Sequence, residues 1–273
     1  MGITLPTLRS PLQETLWVTL CGRALDSRLP RPILGDRMAY EIIHKTGYDH
    51  RKLRWSAASA IDVAQRAKKL DEIAQRFIAR HPNAIGIDLG AGLDTRALRI
   101  DPPSTADWYD VDFPEVVDAR HRVIPERPHV HAIGADLTEP DWLEALPADR
   151  PAVVVADGVL PFLSQEEMIT LLDRLTSHFP SGEIAFNVYT RFTVWAAKHY
   201  SGSRFLVPLF KSPGFDRLDP VRWNPRLTLI RHILLTREPE VDQFPTALRL
   251  WTRLSALSTT FSRLGTTVAH YRF

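Results

Sequence analysis

Between residues 84 and 190 the chain alternates short apolar, β-branched runs with amphipathic stretches, and this rhythm restricts the fold more than any other feature. AIGIDLG (84–90), WYDVD (108–112), HVHAIGAD (129–136), AVVVADGV (152–159) and EIAFNVYT (183–190) read as five strands. The AVVVADGV run lacks polar alternation, the pattern of a strand buried on both faces of a parallel sheet. Helical patterns separate the runs. Pro114 opens FPEVVDARHRVI at a first helical turn, and DWLEAL is a short helix. Ser164 and Glu167 form a capping box ahead of Met168, Leu171, Leu172, Leu175 and Phe179. Such repeats close through right-handed crossovers, so the expected fold is α/β with a doubly wound, mostly parallel sheet.

The flanks read differently. Pro6, Pro11, Pro30 and Pro32, with Gly22, Gly35 and Gly47, leave no room for a long regular element in the first 55 residues. Ile61, Ala64, Leu70, Ile73, Ala74, Phe77 and Ile78 then predict a helix from Ser59 to about Arg80, stopped by His81-Pro82-Asn83. Prolines at 208, 213, 220, 225, 239 and 245 argue against a regular layer over 201–245. Leu248, Trp251, Leu254, Leu257, Phe261 and Leu264 predict one helix closed by Gly265, and TTVAHYRF a final strand. The expected organisation is an N-terminal extension over the active site (1–55), a nucleotide-binding core (56–190), an insertion with a C-terminal helix (191–265) and a last core strand (266–273).

Composition narrows the function. Of 273 residues 44% are hydrophobic and 24% charged, as in ordinary globular chains. No run approaches the ~18 apolar residues of a membrane span, and the first residues lack the basic head and apolar core of a signal peptide. A cytoplasmic protein without a membrane partner is expected. The single Cys21 rules out an internal disulfide; His121, His129 and His131 lack metal-site spacing, so no metal is expected. A net charge of +2 does not suit a nucleic-acid binder. The charge is uneven, with 21 Lys and Arg against 27 Asp and Glu up to residue 189, and 13 against 5 beyond it. A basic tail of this kind is expected to pack on the acidic body or to face an anionic substrate.

The chemistry concentrates at Asp88-Leu89-Gly90-Ala91-Gly92-Leu93-Asp94-Thr95-Arg96, where the first strand turns into a helix. Glycines there let the backbone approach a ligand, and Asp94 or Thr95 can cap the helix. Asp110 and Asp112 end the second strand, about 20 residues on, where a carboxylate can accept from ribose hydroxyls. The pairing points to an adenosine-containing ligand. A nicotinamide cofactor, and with it an NAD(P)-dependent oxidoreductase, fits less well because the third glycine of G-x-G-x-x-G is replaced by Thr95. Asp136-Leu137 after the third strand can take an adenine amino group and a ring nitrogen, and Asp157-Gly158 ends the fourth strand.

The runs IDLGAGLDTRALRI, WYDVDFPEVVDAR, GADL and ADGVLPFLS together resemble the leucine carboxyl methyltransferase family, and within it the bacterial polyketide-type O-methyltransferases. The resemblance covers roughly residues 55–190 and the last strand. It implies a class I, S-adenosylmethionine-dependent methyltransferase with a Rossmann-like sheet of seven strands. It also implies that Arg66 grips the cofactor carboxylate, that Gly90, Ala91 and Gly92 form the cofactor loop, that Asp112 holds the ribose, and that Asp136 and Leu137 hold the adenine. Asp157 stands where the family usually has Glu, one methylene longer, and Asp110 where many members carry Glu.

Methyl transfer to oxygen is an in-line displacement, and a hydroxyl acceptor, unlike a carboxylate, needs a base. Asp157, Tyr189 and His199 are candidates by position. Phe192, Trp195, Tyr200, Phe205, Phe210 and Trp223 are candidates for an apolar acceptor pocket, which with the basic tail suits a flat, partly anionic small molecule such as an aromatic acid or a polyketide-like phenol. A protein that binds the cofactor without catalysing transfer is the remaining alternative.

Overall fold

The computed structural model describes residues 5, 6, 8, 10–49, 56–200 and 206–273, with Tyr200 placed by its backbone only. Seven strands form one sheet: β1 (Ile85–Leu89), β2 (Asp107–Asp112), β3 (Val130–Gly134), β4 (Ala152–Ala156), β5 (Gly182–Val188), β6 (Thr228–Leu234) and β7 (Thr267–Arg272). Their order is β3-β2-β1-β4-β5-β7-β6, with β1 to β5 parallel and β7 antiparallel to both neighbours. The chain leaves β1 in one direction across the sheet and later resumes beside it as β4. The crevice where an open α/β sheet binds ligands therefore lies at the carboxyl ends of β1 and β4.

The helices are α1 (Leu16–Asp26), α2 (Arg37–Thr46), α3 (Ala57–Arg80), α4 (Arg96–Ile100), α5 (Pro114–Val123), α6 (Asp141–Glu144), α7 (Gln165–His178), α8 (Arg191–Tyr200), α9 (Asp219–Trp223), α10 (Thr246–Ala256) and α11 (Thr259–Leu264). Strand alternation splits the core. Ile85, Ile87, Leu89 and Val154 pack with Met168, Leu171, Leu172 and Leu175 of α7 on one face. Val153 and Val155 pack with Leu70, Ile73, Ala74 and Phe77 of α3 on the other. Buried on both sides, β4 has no position for a polar side chain. The capping box forms as expected: Glu167 N donates to Ser164 Oγ, and Ser164 N to Glu167 Oε2.

Four expectations need correction. The prolines of the N-terminal region do not exclude regular structure, because they fall outside α1 and α2; α2 is capped by Asp36, which accepts from Ala39 N, and ends at Gly47 with φ of 66°. The proline-rich 201–245 segment contains β6, which runs from 228 to 234 between Pro225 and Pro239 and is the sheet edge. The predicted C-terminal helix is two helices, because Ser258 breaks the run and caps α11 by accepting from Phe261 N, while Gly265 is extended and not left-handed. Finally, Asp94 and Thr95 do not cap α4; Thr95 is at the cap position but makes no capping bond.

Charge does not dock the tail in the way its composition suggests. Arg217 pairs with Asp216, Arg222 with Asp219, Arg231 with Glu238 and Arg253 with Asp242, all within the tail, while Lys211 reaches Glu167 on α7. Buried contacts run in both senses: Lys69 of α3 is bound to Glu238 and Glu240 of the tail at 3.1 and 2.9 Å, and His270 of the tail lies 2.8 Å from Glu183 of β5.

Candidate active site

A cavity of about 630 Å³ opens at the carboxyl ends of the strands, well within the size range of small-molecule sites. The β1–α4 turn forms part of its wall. Gly90 and Gly92 have φ of 62° and 52°, the left-handed region, and a Cβ on Gly90 would lie 2.4 Å from Val159 Cγ2. Neither position accepts a side chain without strain, so bare backbone faces the cavity. Gly92 N donates to Asp112 Oδ2 at 2.7 Å and Phe113 N to Asp112 Oδ1 at 2.7 Å, which fixes the carboxylate at the end of β2. Burial pushes the Asp112 carboxyl above its ordinary value, and the two backbone N–H groups oppose that rise.

Behind the turn lies a buried ion network that the sequence pattern did not disclose. Arg96, fully buried, binds Asp88 at 2.9 Å, Asp71 at 3.2 Å and Asp94 at 3.3 Å. Arg99 binds Asp71, Asp36 and Asp94. Arg23 of α1 binds Asp36 and Asp94, and donates to Leu93 O. Arg120 of α5 donates to Gly92 O and Asp94 O and pairs with Asp110. Desolvation alone would raise the Asp94 carboxyl, but Arg23, Arg99 and Arg96 together hold it below its ordinary range. The Asp-Thr-Arg of the motif thus holds the glycine turn in place from behind, where no ligand reaches it. Asp110 belongs to the same scaffold: it is buried, accepts from Trp108 Nε1, and does not line the cavity.

At the β4 end, Arg66 Nε donates to Asp157 Oδ1 at 2.6 Å, and Nη1 lies 3.2 Å from Asp62 Oδ2 and 3.5 Å from the Tyr189 hydroxyl. Asp157 Oδ2 is buried without a hydrogen-bond partner. Burial would lower the Arg66 guanidinium, yet Asp157, Tyr189 and Asp62 keep it above its ordinary value. Burial raises the Asp62 carboxyl against the pull of Arg66. Across the cavity, Asp136 Oδ1 accepts from Thr138 N and Oγ1 in a tight turn, and Leu137 is buried beside it.

The structure therefore brings Arg66, Gly90, Gly92, Asp112, Asp136, Leu137, Asp157 and Tyr189 to one cavity. Ala91 is buried behind the turn, with its N–H donating to Val111 O. His199 lies on the exposed side of α8, its ring 4.9 Å from that of Trp195, and does not line the cavity. Of the proposed pocket aromatics, Phe210 lines the cavity; Phe192 and Trp195 are exposed, and Trp223 packs on Phe215. Phe205 and the Tyr200 side chain lie outside the described residues. The sequence reading passed over Asp62, Phe162 and the α1 residues Leu16 and Thr19, all of which line the cavity. The four-residue spacing of Asp62 and Arg66 on a helix was the available signal for the first.

The family model for leucine carboxyl methyltransferases matches residues 16–176. The chain belongs to this family. It is 44% identical over 188 residues to the tetracenomycin polyketide synthesis O-methyltransferase TcmP of Streptomyces glaucescens, spanning 69% of this chain and 70% of that one. It is 33% identical over 194 residues to the S-adenosylmethionine-dependent methyltransferase dpfgK of Gibberella zeae, spanning 64% and 65%. The fold is that of a Thermobifida fusca crystal structure (TM-score 0.57, 13% identity, 98% and 99% covered) and of the plantazolicin methyltransferase BamL (TM-score 0.53, 5% identity, 95% and 98% covered). This chain is an S-adenosylmethionine-dependent methyltransferase, and the oxidoreductase and non-catalytic alternatives fall. Among the described residues no helix is long and apolar enough to cross a membrane. The cavity suits the cofactor of this methyltransferase: the bare turn admits a close ligand, and the unpartnered Asp157 oxygen beside Arg66 matches a group carrying both an ammonium and a carboxylate.

Proposed function

We propose that the enzyme methylates an oxygen of a flat, largely apolar small molecule of aromatic or polyketide type, held in the same cavity as the cofactor. One observation carries this reading: the charged Arg66–Asp157 pair, with its spare carboxylate oxygen, shares a cavity with a wall of Phe162, Leu163, Leu206, Phe210 and Tyr189. The charged end suits the amino-acid part of the cofactor. The apolar wall suits an acceptor that is not itself a zwitterion. The 44% identity to an O-methyltransferase of polyketide synthesis supports the same acceptor class.

In this reading Asp112 takes the ribose hydroxyls, Asp136 and the Leu137 N–H take the adenine, Arg66 the carboxylate and Asp157 the ammonium. Bound S-adenosylmethionine supplies an electrophilic methyl group whose bond to sulfur breaks as the bond to the acceptor oxygen forms. The rings of Phe162, Phe210 and Tyr189 fix the plane of the acceptor and exclude water, so that the attacking oxygen is held in line. With a hydroxyl acceptor, Asp62 takes the proton: it lines the cavity, and its raised carboxyl is a stronger base than one in water.

The test offers methyl-labelled cofactor with a panel of phenols, aromatic acids and matched amines, and reads label transfer by mass. Transfer to oxygen in the phenols or acids is expected, and transfer confined to the amines would overturn the reading. For a phenol substrate, Asp62→Asn is expected to lower kcat about 10²-fold or more, the range for loss of a general base, with little change in KM.

A further inference from the structure

The two C-terminal helices are turned inside out. In α10 Thr252 is buried, and in α11 Ser262 is, whereas Leu250, Trp251, Leu254, Leu257 and Phe261 are 62%, 70%, 59%, 83% and 64% exposed. A surface helix ordinarily turns its apolar stripe to the core and its polar side to water. Here the large side chains follow one another along the outer face and leave on the order of 600 Å² of apolar surface open, taking roughly 150–250 Å² for each large side chain. That is at the upper end of what a monomer exposes, ~300–600 Å², and close to the ~800 Å² that each partner contributes to a standard interface.

The charges around the ridge indicate what covers it. Residues 246–266 contain Arg249, Arg253 and Arg263 and no acid. Arg253 is bound to Asp242 at 2.7 Å, Arg249 reaches the Asp242 carbonyl at 3.4 Å, and neighbouring Arg237 donates to Ala256 O and Thr259 Oγ1. With Arg249, Arg253 and Arg237 engaged by acceptors of the chain itself, Arg263 is, among the described residues 246–266, the one cation left to attract a lipid phosphate or an acidic protein. A single charge exerts little pull. The ridge's complement is another apolar ridge of the same shape. The nearby sheet edge is a poor alternative, since β6 is bulged between Leu229 and Arg231 and carries a charged side chain there.

We propose that the α10–α11 ridge is the interface of a homodimer, in which it packs on the same ridge of a second copy across a two-fold axis. An isologous contact of this kind buries the exposed leucines, Trp251 and Phe261 on both copies at once.

Sedimentation velocity over a micromolar concentration series tests this. The wild type is expected at twice 31.0 kDa. Leu254→Glu and Leu257→Glu are expected at the monomer mass, with unchanged circular dichroism and an unchanged rise in Tm with S-adenosylhomocysteine. Should a glutamate variant fail to fold, Leu257→Ser is expected to weaken dimerisation at least tenfold. Flotation with phosphatidylcholine vesicles, with and without phosphatidylglycerol, runs beside it. A wild type that stays monomeric at every concentration, a dimer that the variants leave intact, or a monomer that floats with vesicles through this ridge would each overturn the proposal.

Discussion

At the scale of single residues, the site depends on carboxylates with different degrees of freedom. Asp110 and Asp112 are two positions apart on one strand and so share a face, but they stand at different depths along it: Asp110 lies under α5 against Arg120 and Trp108, while Asp112, the last residue of the strand, reaches the cavity rim and the glycine turn. Strand spacing made both plausible ribose ligands; only the packing of α5 and its Arg120 separates them. Replacing Asp112 with Ala removes the rim carboxylate and two backbone partners. It is expected to weaken S-adenosylhomocysteine binding by about 1–3 kcal/mol, measured by calorimetry, with Asp112→Asn between it and the wild type. Asp110→Ala acts through stability instead, since it leaves Arg120 without its carboxylate.

At the scale of elements, the question is what holds a glycine-rich turn still. The turn has almost no side chains with which to anchor itself, and α4 has five residues and no side-chain cap. Its position is set from outside, by arginines on α1, α4 and α5 and acids on β1, α3 and the α2 cap. Arg96 is the hub, with no exposed surface and three carboxylate partners. Arg96→Met keeps much of the volume and leaves buried carboxylates without their counter-ion. A loss of about 3–5 kcal/mol is expected, read as a lower urea midpoint. Arg96 and Asp94 stand in the motif that carries the family resemblance, where the sequence pattern assigned Asp94 a capping role and Arg96 none; in the fold their contribution is to keep the backbone in the shape that the ligand meets.

At the scale of the whole molecule, stability should vary with pH through a histidine remote from the cavity. His232 on β6 lies 3.0 Å from Thr267 Oγ1 on β7, and burial, with Arg217 and Arg263 nearby, lowers its pKa from 6.5 to about 4. It is neutral in the folded protein at neutral pH. Below its ordinary value the unfolded chain takes up a proton that the folded one refuses. The contribution is therefore complete above about pH 6.5 and is lost as pH falls towards 4. The loss is expected to be roughly 1–2 kcal/mol, given the partial exposure of the ring, and His232→Gln should flatten Tm between pH 7 and 5.

Along the chain, what sequence decided is local and periodic. Alternating apolar runs specified the five parallel strands, the 3.6-residue stripe specified α3, and the S-x-x-E box fixed the start of α7, because each depends on neighbours within a few residues. The edge strand β6 escaped notice, since the prolines around it obscured a seven-residue run whose partner, β7, is more than thirty residues away. The break at Ser258 escaped as well, because an apolar stripe continues across it. Tertiary structure alone decided which acids reach the cavity and which become scaffold. It also decided that α10 and α11 turn their apolar side outward. Both outcomes depend on which side chains from distant segments come to lie against each position, and no short-range pattern in the chain records that.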